Sequence, residues 1–298
     1  MTQPIHIEGM GWLGSALACS LDARKIPFTW ADIDSDTVAW RASNGVISPD
    51  GDDRSERNRV LWRDWYESGM FPDGTIARAS YVYSHKQPPH AGKYDVVDLP
   101  HGLHLAATDV FIANVADIVV ATRQAHESRR TLAPPVGSYV IEAHGYTRRL
   151  DRVTWGWTAN ATLTLPDYLV DLPNLALYGR PNRFEVVFVT TRPGHPHQYR
   201  VGVSTIPQAT PVRRPDVALV ALAKRIRQIS ELFPGVTVDS AETPIEGWRP
   251  RARNGQDRAV QHHGTRGCTL PPLLHSGIRW SPEVVNEAAA IAEAVQNQ

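Results

Sequence analysis

The residues whose spacing most clearly implies chemistry are Gly9, Gly11 and Gly14, in the run Gly9-Met10-Gly11-Trp12-Leu13-Gly14. Where such a run leaves a strand and opens a helix, each glycine has its own task. The first permits a tight turn, the second lets the backbone approach a pyrophosphate, and the third lets helix and strand pack closely. Trp12 and Leu13 fill the variable positions, so the phosphates are expected at a helix N-terminus, where amide N–H groups and the helix dipole favour an anion. Asp32 follows Gly14 by 18 residues, with Ile33 beside it, at the end of the next apolar stretch. A carboxylate there can accept hydrogen bonds from the ribose hydroxyls of an adenosine. A chance glycine turn with a solvent-facing Asp32 would need strand, helix and acid to fall into register by accident. NAD and FAD satisfy this segment equally well.

The other reactive residue types form fewer patterns. His85, His90, His101 and His104 have no zinc-site spacing, and no metal is expected. Ser43 and the histidines lack the nucleophile-elbow sequence of a hydrolase. The two cysteines, Cys19 and Cys268, are too few for a disulfide framework, and Cys268 is expected as a small buried thiol. Lysine occurs only at Lys25, Lys86, Lys93 and Lys224 among 31 basic residues, so the cationic side chains are mostly arginine. Arginine suits bidentate recognition of carboxylate or phosphate.

The elements that must carry these residues follow from periodicity. Residues 4–34 read as strand, glycine turn, helix and second strand, with Pro27 between the last two. Residues 50–59 read as an exposed loop, followed by the aromatic amphipathic stretch "VLWRDWY". "HAGKYDVVDLPHGLHL" looks extended, and "NVADIVVATRQAHESRRTL" has helical spacing up to Pro134-Pro135. "GSYVIEAHGY" reads as a buried parallel strand delivering a ligand-facing turn. Two alternating segments ending in "VTTRP" and "STIP" suggest a hairpin in a different sheet. "VALVALAKRIRQISELF" and "NEAAAIAEAVQ" read as amphipathic helices.

Near the C-terminus, "GWRPRARNGQDRAV" and "HHGTRGCTLPPLL" together resemble the closing signature of the D-amino-acid oxidase superfamily, which includes glycine and sarcosine oxidases. Gly247, Arg249 and Pro250 match its G-x-R-P segment; His263, Gly264, Gly267 and Thr269 match its G-H-G-x-x-G-x-T loop. "AWRASNGVISP" is similar to the family's Ala-Ser-x-x-Gly turn, and "EAHGY" to its strand ending in alanine and glycine before an aromatic residue. His262 departs from the usual first glycine, and Asn254 stands where an aspartate is common.

The resemblance implies non-covalently held FAD in a Rossmann-like, glutathione-reductase-type domain with an inserted mixed-sheet substrate domain. The expected segments are 1–66, 108–150 and 246–298 for FAD, and 67–107 with 151–245 for substrate. Ser43, Asn44 and Gly45 would lie near the pyrophosphate, and Ala143 with Gly145 would support the nucleotide. The backbone of Gly264, Thr265, Arg266, Gly267, Cys268, Thr269 and Leu270 would meet the ribityl chain and ring edge. Arg249 would hold a substrate carboxylate, with Tyr178, Trp157, Trp155 and Arg183 as further pocket candidates. No side-chain catalyst is expected beyond the flavin.

The implied activity is oxidation of a carbon–nitrogen bond in an amino acid or N-substituted glycine, by hydride transfer to flavin N5 and imine hydrolysis. One alternative applies the same chemistry to an aminoacyl or carboxymethylamino group on a nucleobase in tRNA or DNA, with arginines, Trp62, Trp65, Trp155 and Trp157 as contacts. Another is an NAD-dependent dehydrogenase. Equal counts of 31 basic and 31 acidic residues create no global attraction to polyanions. No segment approaches a membrane span, and nothing before Ile5 reads as a secretory leader, so a cytoplasmic protein is expected.

Overall fold

The computed structural model describes residues 3–32, 45–47, 56–71, 73, 76–83, 96–113, 115–144, 152–170, 175–178, 186–192, 195–205, 215–241, 245–250, 260–271 and 277–298. The chain begins with β1 (Ile5–Glu8), α1 (Trp12–Ala23) and β2 (Phe28–Ala31), followed by β3 (Gly45–Ile47) and α2 (Glu56–Glu67). It continues through β4 (Ile76–Tyr83), β5 (Val96–Leu99), β6 (Leu103–Ala113), α3 (Val115–Ala125) and β7 (Tyr139–Glu142). Next come β8 (Arg152–Thr164), α4 (Asp167–Val170), β9 (Leu175–Tyr178), β10 (Val186–Arg192) and β11 (His195–Thr205). The remainder is α5 (Pro215–Leu232), β12 (Thr237–Ala241), β13 (Ile245–Pro250), β14 (Gln261–His262), β15 (Gly267–Thr269) and α6 (Gly277–Gln296).

Two compact units result. The first comprises Met1–Ile76, Ala113–Arg152 and Pro250–Gln298; the second comprises Ala77–Ile112 and Val153–Arg249.

The first unit is built on a five-stranded sheet in the order β14-β15-β7-β1-β2. β15, β7, β1 and β2 are parallel, and β14 runs antiparallel to β15. From β1 the chain crosses to β2 on one side, while β7 lies on the other, so the strand order reverses at β1. In such sheets the crevice beyond the strand C-termini at that point receives ligands. α1 packs against α3 and α6, and α2 against α6. The helix faces follow their periodicity: Leu13, Leu17 and Leu21 on α1, and Val285, Ala288, Ala289 and Ala292 on α6, are all buried. α1 ends with Lys25 at φ 59°, its N–H bonded to the Asp22 carbonyl and that of Ile26 to the Leu21 carbonyl. This double closure satisfies helix-end carbonyls and turns the chain toward Pro27 and β2.

Several boundaries differ from the sequence expectation. α2 begins at Glu56, inside the segment read as a loop, and α6 begins at Gly277, well before the apolar run at Asn286, with Pro282 inside it. α3 stops at Ala125 rather than running to Pro134. There the edge of β2 competes for the backbone: Trp30 Nε1 donates to the His126 carbonyl at 2.8 Å, and Thr131 N–H to the Trp30 carbonyl at 2.8 Å.

The second unit has a mixed sheet in the order β12-β8-β11-β10-β9-β4-β6, with β13 on β8 and β5 on β6. The expected hairpin is β10 with β11, and "HAGKYDVVDLPHGLHL" contributes the antiparallel pair β5 and β6. Ala159, Ala161 and Leu163 alternate along one face of β8 and share a core with Ala218, Leu222 and Ile229 of α5 and with Phe233. Each large side chain so buried stabilises by about 1.5–3 kcal/mol.

His6 in β1 is fully buried, with Nδ1 2.8 Å from Thr29 Oγ1. Burial lowers the pKa of both His6 and His126 below the ordinary 6.5. A histidine depressed in the folded state stabilises above its unfolded pKa, and that contribution is lost as pH falls, because the unfolded chain then binds more protons. Stability should therefore drop as pH is lowered through 6.5 toward the depressed folded values. His6→Asn should flatten that slope in urea denaturation series at several pH values; an unchanged slope would contradict the assignment.

Candidate dinucleotide site

β1 ends at Glu8 and the chain turns at once through Gly9, whose φ of 101° is reached easily only by glycine. The Gly9 N–H donates to the Ala31 carbonyl at 2.8 Å, tying the turn to β2. A Cβ on Gly9 would also lie 3.0 Å from the Ala143 carbonyl after β7. On Gly14 it would lie 1.9 Å from the Gly9 carbonyl oxygen, so helix and turn touch backbone to backbone. On Gly11 it would meet nothing within 4 Å. Gly9 and Gly14 are thus fixed by the protein's own packing, whereas Gly11 faces open space, as a residue approached by a ligand should.

α1 starts from this turn with Gly11 as N-cap, no side-chain cap and no acidic residue in its first turn. That leaves an electropositive end suited to an anion. Trp12 anchors the turn elsewhere: its Nε1 donates to Ser281 Oγ at 2.6 Å, and its ring stacks on Phe71 at 5.8 Å between centroids. Phe71 meets Trp65 edge-on at 5.4 Å. Leu13 is buried in the core.

Asp32 stands at the end of β2, its side chain 12% exposed. Its Oδ2 accepts from the Met10 N–H at 3.1 Å and from Arg123 Nη2. The Arg123 Nε also donates to the Met10 carbonyl at 3.0 Å. Arg123 did not emerge from the sequence; it lies 91 residues from Asp32, and no local pattern links them. His144, between the expected Ala143 and Gly145, was also missed. Its Nε2 lies 3.2 Å from Glu8 Oε2.

The loop resembling G-H-G-x-x-G-x-T docks onto β7 through β15. Gly267 has φ 152°, and a Cβ there would fall 2.0 Å from the Val140 carbonyl oxygen, so only glycine permits the pairing. Gly264, Thr265 and Arg266 form an exposed 3₁₀ turn. Thr269 Oγ1 donates to Glu142 Oε2 at 3.0 Å and lies 2.7 Å from His263 Nε2. The Leu270 N–H extends the ladder to the Glu142 carbonyl at 2.9 Å. Cys268 is fully buried beside Tyr139. Burial lifts its thiol to about 11 and the Tyr139 phenol to about 12, so no thiolate stands ready at neutral pH.

The first unit therefore brings Gly9 to Gly14, Asp32, Ala143, Thr269 and Leu270 to the C-terminal edge of its parallel strands, whereas Gly264, Thr265 and Arg266 precede β15 and lie at the opposite end, where Gln3 Nε2 donates to the Thr265 carbonyl at 3.0 Å. Gly45 lies in β3. Ile33, Ser43, Asn44, Gly145 and Arg183 lie outside the described residues. Trp155 and Trp157 in β8, Tyr178 in β9 and Arg249 in β13 are placed by backbone within the second unit. Trp65, considered for nucleobase contact, is 2% exposed and donates to Asn286 Oδ1 at 3.4 Å. Buried in the core, it cannot stack on a base. Among the described residues, no group of histidine, cysteine and carboxylate side chains could hold a metal ion. Likewise, no helix among them is long and apolar enough to cross a membrane.

No protein-family model and no curated protein matches the chain. Among solved structures it is similar to iminodiacetate oxidase from Chelativorans sp. BNC1, with a TM-score of 0.61 and 14% identity over 97% of this chain and 95% of that one. An FAD dependent oxidoreductase from Pseudomonas aeruginosa matches with a TM-score of 0.60 and 12% identity, over 99% of this chain and 92% of that one. Glycine oxidase from Bacillus cereus matches with a TM-score of 0.59 and 12% identity, over 99% and 96% respectively. The chain has the fold of these oxidoreductases. The glycine turn fits a dinucleotide on its own geometry, because the open position is Gly11 and the closed ones are Gly9 and Gly14.

That asymmetry separates folding from binding. Gly11→Ala has room and a compatible φ of −78°, so the apoprotein's stability should change by no more than about 0.5 kcal/mol. Its affinity for the dinucleotide should nevertheless fall about tenfold or more, roughly 1.4 kcal/mol. Gly14→Ala forces α1 off the turn and should destabilise by about 1–3 kcal/mol or more. Thermal melts of the apoproteins and a cofactor titration would distinguish the two.

Proposed function

We propose that the chain is an FAD-dependent oxidoreductase that oxidises a carbon–nitrogen bond in a small amine or amino acid. The observation that carries this reading is the glycine geometry at the reversal of strand order, in a chain with the fold of flavin-dependent amine and amino-acid oxidases. The first unit takes the cofactor role and the second the substrate role.

In this reading the α1 N-terminus and the Gly11 backbone face the pyrophosphate, and Asp32 serves the adenosine ribose. Ile33, Ser43, Asn44, Gly45, Ala143 and Gly145 complete the nucleotide site, and the backbone of Thr269 and Leu270, at the C-terminal end of β15, borders the ring end. When bound, FAD supplies the two-electron acceptor that protein side chains lack. The chain's own part is to orient the substrate's C–H bond, exclude water and favour the neutral amine, so no side-chain base is demanded.

Iminodiacetate and glycine, named for two of the similar structures, both carry a carboxylate one carbon from nitrogen. That chemistry suits a guanidinium fork, and Arg249 is the residue assigned to it, with Tyr178, Trp157 and Arg183 as pocket neighbours. A modified nucleobase gains nothing from these neighbours, and Trp65 is lost to it as a contact.

Purified protein should show the absorption bands of bound flavin, bleached anaerobically by a substrate amine. A colourless protein that cannot be reconstituted with FAD would refute the proposal. Arg249→Ala should raise KM for an amino-acid substrate by about tenfold or more while changing that for the matching decarboxylated amine far less. Equal changes for both would remove Arg249 from carboxylate binding.

A further inference from the structure

Arg123 has no place in the glycine fingerprint, yet its guanidinium bonds directly to the backbone of that turn. It sits in the last turn of α3, its side chain only 11% exposed, and one guanidinium spans two parts of the turn. Nη2 engages Asp32 Oδ2, and Nε donates to the Met10 carbonyl at 3.0 Å. The same Asp32 oxygen receives the Met10 N–H at 3.1 Å, which closes a ring of three contacts among the β2 end, the first glycine turn and α3.

We propose that Arg123 is a positioning residue for the dinucleotide, acting through Asp32 and the Met10 peptide rather than touching the cofactor. The inference rests on the FAD reading above. Two physical effects converge here. A carboxylate at the ribose end lies close to a pyrophosphate that carries negative charge, and the guanidinium offsets that like-charge repulsion within a partly buried site where screening is weak. The fork also fixes the direction of the carboxylate and the height of the Met10 peptide, which sets the path of the backbone into Gly11. Lysine, a point charge on a flexible stem, would supply the first effect without the second.

The test is FAD affinity of the apoprotein, read by quenching of flavin fluorescence, for wild type, R123A, R123K, D32A and the R123A/D32A double variant. R123A should raise the FAD Kd at least about tenfold, R123K by an intermediate factor, and the wild-type advantage over R123A should shrink as salt is raised. In the D32A background, adding R123A should raise Kd by a clearly smaller factor than in wild type, because only the Met10 contact is then left to lose. A Kd for R123A equal to wild type, or fully additive losses in the cycle, would overturn the inference while leaving FAD binding intact. Should R123A fail to fold, R123K carries the test, and a Kd equal to wild type then overturns the bridging role. Wild-type protein that takes up no FAD overturns the reading of the site, and this inference with it.

Discussion

The backbone contact between α1 and the turn that precedes it is the constraint from which the rest of the first unit follows. With a Cβ on Gly14 falling 1.9 Å from the Gly9 carbonyl oxygen, the helix can sit against the turn only because Gly14 lacks a side chain. That closeness aims the α1 N-terminus at the end of the sheet, where strand order reverses. Gly267 repeats the device at β15, whose approach to the Val140 carbonyl brings the far loop alongside β7. Two sites of enforced closeness therefore determine where the edge lies and which backbone groups reach it.

Along that edge the register aligns Glu8 of β1, Glu142 of β7 and Thr269 of β15, with Asp32 one residue beyond the partner of Glu8 in β2. An edge proposed to receive an anion is a poor place for uncompensated carboxylates. Each is met by a polar partner: Glu8 by His144, Glu142 by the Thr269 hydroxyl, and Asp32 by Arg123 and the Met10 N–H. The carboxylates then act as fixed acceptors that hold turns and loops in place, which reconciles an acidic edge with the proposed diphosphate-binding role.

The division between what could be read from the sequence and what could not follows contact range. The glycine run, Asp32 and the β7 strand are local patterns, since a tight turn, a helix start and a buried parallel strand each fit within about ten residues. Arg123 and His144 act through partners 91 and 136 positions away, and Trp12 through Ser281 at 269, so no window contains both members. The early start of α6 was hidden by Pro282 in its second turn: proline reads as a helix breaker, yet here it removes a single intrahelical donor and the helix runs through it. α3 was read too long because its apolar spacing continues past Ala125. The competing acceptor at Trp30 belongs to another strand and leaves no local mark.

The same long range explains why the dinucleotide site and the unit's stability should be coupled. The edge is assembled from three separate chain segments: the first supplies the turn and Asp32, the second Arg123, Ala143 and His144, and the third Thr269 and Leu270. Trp12, through Ser281, fastens the first segment to the last helix. A ligand that contacts all three binds only where they are together, so its binding free energy adds to that of assembly. On the proposed reading, the glycine turn is then more than a phosphate cradle. It is the point at which cofactor affinity and the cohesion of a discontinuous domain draw on the same contacts.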